Sequence, residues 1–156
     1  MDPTRKRLIG IVGPIGSGKD TVGEMLRLYL GTNAKTVSFA RPMKEFVKLV
    51  YDFSDEQLYG PSEFRDKPDL RYPRFHGPFD PGQTVCPCCR VVVDMYADSV
   101  VGECHLTPRY ALEQLGTEWG RDCYPDTWPE LGLRTADSLL GVVDTVVITD
   151  TRFVNE

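Results

Sequence analysis

The chain has 156 residues, a formal net charge of −5 and a hydrophobic fraction of 41%. That is one domain's length with enough apolar residues for a core, and too acidic for a nucleic-acid surface, which needs Lys and Arg gathered on one face. No apolar run approaches the ~18 residues needed to span a bilayer, and the opening MDPTRKR leads into a strand rather than a signal sequence, so a cytoplasmic protein without a membrane partner is expected.

The first apolar run, LIGIV at 8–12, precedes GPIGSGKDT at 13–21, after which Val22, Met25, Leu26 and Tyr29 recur at helical spacing. This is strand, glycine loop, helix. Gly13, Gly16 and Gly18 let successive backbone N–H groups turn inward on a phosphate chain, and the helix opening near Lys19 adds the positive end of its dipole. Lys19 stands where a loop lysine reaches terminal phosphates. Asp20 occupies the place usually held by a magnesium-ligating Ser or Thr, and Thr21 follows one residue later. The same glycines could form a turn that binds nothing, but the strand-to-helix context favours phosphate binding.

A β-branched run, KTVSF at 35–39, predicts a second strand, and Pro42 suits the first turn of a helix that Phe46, Val47, Leu49 and Val50 carry to about Tyr51. Lys44 near that helix start either meets a second phosphate or is a solvated lysine. From 54 to 105 helix and strand signals are poor, and prolines and arginines crowd a long irregular insertion at about 61–106. Arg65, Lys67, Arg71 and Arg74 form a basic set there, either closing over phosphates or solvated. Five cysteines, an odd number, fit metal ligation or free thiols better than a disulfide framework. Cys86 and Cys89 have the C-x2-C spacing of a zinc knuckle, which Cys104 with His105 or His76 would complete over 86–105; adjacent Cys and His seldom share an ion, so free thiols stand as an equal alternative.

Thr107 and Pro108 read as cap and first residue of a helix with Tyr110, Ala111, Leu112 and Leu115 on its core side. Arg109 in its first turn opposes the dipole, which calls for an anionic partner, either a ligand or a surface carboxylate. Trp128 is a core aromatic or a base-stacking platform, with the core reading favoured. A short helix is predicted over 134–140, and TVVIT at 145–149 is a buried parallel-strand run ending in Asp150. If that strand neighbours the first, Asp150 lies beside the glycine loop, where it would hold magnesium through water or orient an acceptor. Arg152 points to the same side of an extended backbone, and a helix-capping Asp with a surface Arg is the alternative.

Four segments, SGKDT at 17–21, FARPMK at 39–44, PRYALEQLGTEWGRD at 108–122 and VVITDTRFVNE at 146–156, together resemble the bacteriophage-type deoxynucleoside monophosphate kinases, P-loop enzymes that phosphorylate dNMPs from ATP. The Asp after the loop lysine is a habit of that family. The resemblance implies an α/β fold, a P-loop NTPase-type α/β/α sandwich with a parallel sheet, here a single domain over 1–156 with a cysteine-containing insertion. It implies ATP phosphates on Gly13, Ile15, Gly16, Ser17, Gly18, Lys19, Asp20 and Thr21, with magnesium, and an acceptor phosphate on Lys44 and Arg109. Gly116 and Thr117 would line the acceptor pocket, Trp128 would stack on the base, and Asp150, Arg152 and Glu156 would close around sugar and phosphates. Family members continue beyond this point with a basic lid, for which either the arginines of the 65–74 loop would compensate or the chain would be a shortened form. Structural zinc in the insert is not a family trait, and a homodimer is left open. A different small-molecule P-loop kinase and a zinc-stabilised ATP-binding module are the rival readings.

Overall fold

The computed structural model describes residues 6–14, 16–75, 85–86, 88 and 103–151. Where the length suggested one domain, the chain gathers into two compact units. The first combines 1–43 with 119–156 and the second is the continuous stretch 44–118, wider than the irregular insertion expected at 61–106.

The first unit is a parallel three-stranded sheet flanked by helices, the mixed α/β class expected. Its strands are β1 (Arg7–Val12), β2 (Ala34–Val37) and β5 (Thr145–Thr151), in the order β1-β5-β2. Leu8 pairs with Val146, and Thr36 with Val147. β5 is buried at every position, as its unbroken TVVITDT run requires of a strand covered on both faces, whereas β1, which among the described residues pairs on one side alone, alternates half-buried and exposed residues. Helices α1 (Lys19–Leu30) and α6 (Thr127–Leu140) pack on this sheet. α1 lies chiefly over β5 and β2, so Val22, Met25 and Tyr29, expected on a core face, are exposed.

In the second unit the helix α2 (Arg41–Tyr51), shared at its start with the first unit, is followed by two short helices that periodicity did not reveal, α3 (Asp55–Tyr59) and α4 (Ser62–Asp66). α3 is set by a capping box: Ser54 Oγ accepts from the Gln57 N–H, and the Gln57 side chain accepts from the Ser54 N–H. An antiparallel pair follows, β3 (Pro73–Phe75) with β4 (Glu103–His105), then α5 (Pro108–Glu113), whose cap Thr107 accepts from the Tyr110 N–H. The core holds Val47, Phe53, Leu58, Cys86, Cys88, Cys104, Leu106 and Ala111, with Tyr110, Leu112 and Leu115 packed against it as the sequence pattern predicted. Of the apolar positions expected to line α2, only Val47 is buried; Phe46, Leu49 and Val50 are exposed. A π-helical stretch (Gln114–Arg121) continues from α5. No described helix is long and apolar enough to cross a membrane.

Candidate active site

The glycine loop leaves the carboxyl end of β1 and enters α1, the strand-to-helix context its spacing required. Gly16 and Gly18 both sit at φ 78°, the left-handed region where a side chain is strained, and a Cβ on Gly13 would approach Ser17 Oγ to 2.7 Å. These are positions where the loop's curvature needs glycine. Lys19 is only 7% exposed, and its ammonium is held by the loop itself, donating to the carbonyls of Gly13 at 2.5 Å and Pro14 at 2.7 Å, with Ser17 Oγ at 3.5 Å. A lysine folded against the carbonyls of its own glycine loop is a cation kept in place, and among the described residues no carboxylate is paired with it. Backbone amides, a helix N-terminus and that cation fit a phosphate chain. Asp20 and Thr21 follow in the first turn of α1, both exposed; Ile15 lies outside the described residues.

β1 and β5 are neighbours, and Val12, directly before the loop, is in register with Thr151. The condition that brings Asp150 to the carboxyl edge beside the glycine loop is therefore met. Its carboxylate, however, is engaged by the turn into α2: Oδ1 accepts from the Phe39 N–H at 2.8 Å, and Oδ2 accepts from Ser38 Oγ at 2.6 Å and the Ala40 N–H at 2.9 Å. This is the capping alternative, here at the entrance to α2 rather than after β5. Ser38 is the residue that sequence reasoning missed; the FARPMK motif drew attention to its basic residues, whereas its first two backbone amides do the binding. Arg152 and Glu156 lie outside the described residues.

Trp128 is 6% exposed in the first turn of α6, its ring centroid 6.4 Å from that of Trp119. Gly120 lies directly against it: a Cβ there would come within 2.5 Å of the indole Nε1. The core reading describes this residue.

The remaining sequence-selected residues belong to the second unit. Arg109 has the anionic partner its helix position called for, and that partner is Asp66. Nε and Nη2 donate to the two carboxylate oxygens, and Nη2 also donates to Ser62 Oγ at 2.6 Å. The hydrogen bonds to Asp66 raise the arginine's affinity for its proton further. The basic set is committed in the same way. Arg65 Nη1 donates to the carbonyls of Leu58 and Gly60, closing the end of α3, while Lys67 lies over the Phe64 ring. Arg71 pairs with Asp69 and Asp52, and Arg74 lies over Tyr110 and donates to Cys88 Sγ. Lys44 sits 4.8 Å from the centre of the Tyr59 ring. In the π-helical stretch Gly116 is buried and Thr117 exposed.

Of the expected metal ligands, Cys86 and Cys104 come together, with sulfurs 3.7 Å apart. His105 follows Cys104 in an extended strand, where neighbouring side chains take opposite faces. Cys89 and His76 lie outside the described residues, and among the described residues no three His, Cys, Asp or Glu side chains are grouped to hold a metal.

No protein-family model matches the chain. Sequence comparison finds 45% identity over 65 residues with a protein named "Putative deoxynucleotide monophosphate kinase" from Acanthamoeba polyphaga mimivirus. The matched stretch is 42% of this chain and spans 33%, about a third, of that protein's length. Over that stretch the chain is similar in aligned sequence to a protein whose name carries the kinase family that the motifs suggested.

Proposed function

We propose that this protein transfers the γ-phosphoryl group of ATP to a deoxynucleoside monophosphate, giving ADP and the dNDP. The observation that carries the reading is the loop at 13–21, with Lys19 held inside it at the carboxyl end of a parallel strand. In the reaction a phosphate oxygen of the acceptor attacks the γ-phosphorus in line. The bond from that phosphorus to the β,γ-bridging oxygen breaks, and ADP leaves with the electron pair. Lys19 releases its contacts with the Gly13 and Pro14 carbonyls and gives its charge to the β- and γ-phosphates. The N–H groups of the loop hold the rest of the chain, so positioning and charge neutralisation lower the barrier without a covalent intermediate. Magnesium, when bound, would neutralise further phosphate charge, with Asp20 and Thr21 as the candidate residues beside it. In this reading the acceptor phosphate meets Lys44 and Arg109, its pocket is lined by Gly116 and Thr117, and its sugar side faces Asp150, Arg152 and Glu156, while Arg65 Nη1 donates to the Leu58 carbonyl.

A second reading, another small-molecule P-loop kinase, is favoured by one observation: a tryptophan 6% exposed is poorly placed to stack on a base. ADP release measured with magnesium-ATP and each of the four dNMPs, beside non-nucleotide phosphate acceptors, separates the two. Turnover with at least one dNMP is expected, and turnover with a non-nucleotide acceptor alone selects the second reading. Lys19→Ala should lower that turnover by about 10³-fold or more while leaving the melting temperature within a few degrees, because its partners are loop carbonyls rather than core.

A further inference from the structure

The cysteines of the second unit take no part in the phosphate loop, yet Cys86, Cys88 and Cys104 are all buried. We propose that Cys86 and Cys104 are two thiolate ligands of a structural zinc ion. Their sulfurs stand 3.7 Å apart. Two sulfurs bound at about 2.3 Å to one tetrahedral zinc are separated by about 3.7–3.8 Å, so this spacing is already the edge of a zinc–sulfur tetrahedron. A disulfide would need the same atoms at about 2.05 Å.

The pair is well placed to fasten the unit. Cys104 lies at the middle of β4, opposite Arg74 of β3, while Cys86 comes from a separate segment 18 positions earlier. Cys88 has another occupation: its sulfur is 3.4 Å from the His105 carbonyl and takes a hydrogen bond from Arg74, and its own carbonyl accepts from the Thr107 hydroxyl that caps α5. A cation joining Cys86 to Cys104 would hold this segment, the β3–β4 pair and the start of α5 as one piece. Zinc is the ion that suits two soft thiolates in a closed, buried site. Each thiol that binds gives up its proton to solvent.

The test is metal analysis of the full chain purified without chelator. About one zinc per chain is expected. Cys86→Ser and Cys104→Ser should each lose it, whereas Cys123→Ser, at an exposed cysteine of the first unit, should keep it. Because serine at a buried site can disturb folding by itself, the unmutated protein is also treated with chelator: its melting temperature should fall by several degrees and return on adding zinc. In protein refolded with cobalt, a sulfur-to-metal charge-transfer band should appear and be absent from both variants. Protein free of metal with all its thiols titratable, a mass lower by two hydrogens that marks a Cys86–Cys104 disulfide, or zinc retained in both variants would each overturn the proposal.

Discussion

Three donors converge on the carboxylate of Asp150, and two of them are backbone N–H groups just ahead of α2. Asparagine keeps the size but turns one oxygen into an NH2 group. If that group replaces Oδ1 it faces the Phe39 N–H, and if it replaces Oδ2 it faces both Ser38 Oγ and the Ala40 N–H. The backbone contacts on both sides mean that neither orientation of the amide escapes a donor facing a donor. Asp150→Asn should therefore destabilise the ligand-free protein by about 1–3 kcal/mol, read from denaturant unfolding in the absence of nucleotide. Unchanged unfolding with depressed turnover would instead assign the carboxylate to magnesium or the acceptor.

At the scale of elements, the junction of the π-helical stretch with α6 gives the sharpest test of what Trp128 does. Thr127 Oγ1 donates back to the carbonyls of Gly120 at 2.9 Å and Tyr124 at 2.7 Å, folding the chain so that the indole lies on the Gly120 backbone. A methyl group at 120 has no room, so Gly120→Ala should cost about 1–3 kcal/mol through displacement of the ring. Trp128→Ala should cost about 3–5 kcal/mol as the loss of a buried aromatic. Thermal unfolding followed by indole fluorescence reads both. If Trp128→Ala melts normally and only weakens dNMP binding, the ring is a base platform after all. The difficulty of reading this region from sequence has a physical origin. The helix predicted from 134 begins earlier, at Thr127, and Pro129 sits in its first turn, where a missing N–H costs nothing. The five-residue helices α3 and α4 are too short to show a 3.6-residue period, and the Ser54–Gln57 capping box that starts one of them went unread in the sequence. The glycine loop, β5 and the Thr107–Pro108 cap were legible because each is specified by residues within a few positions of one another. The partners of Asp150 and Arg109 lie 110 to 112 and 43 to 47 residues away, beyond any local pattern.

At the scale of the whole molecule, acid should act first on the second unit. Asp69 is a buried carboxylate whose oxygens accept from the Arg71 side chain and N–H and from Gln57 Nε2, and these bonds, those of Arg71 foremost, hold its carboxyl well below the ordinary carboxylate range. A group depressed in the folded state contributes its full stability above the unfolded value, near pH 4, and loses it progressively as pH falls towards the folded value. The protein should thus lose stability below about pH 4 more steeply than Asp69→Asn does, a comparison made by urea unfolding at pH 7 and pH 3. Because Arg71 is half exposed, added salt should shrink the difference. The strand order has a consequence for how the protein is made. β5 stands between β1 and β2, yet it is the last of the three to leave the ribosome, and the contact of Lys6 with Asp144 spans 138 positions. At roughly 5–20 residues per second, about 7–28 s separate the emergence of the first strand from that of its only described partner. The second unit, continuous in sequence, can close during that interval. The glycine loop, which leaves β1 for α1, waits for β5 before its strand gains that partner, and long-range pairing of this kind is the slow step of folding.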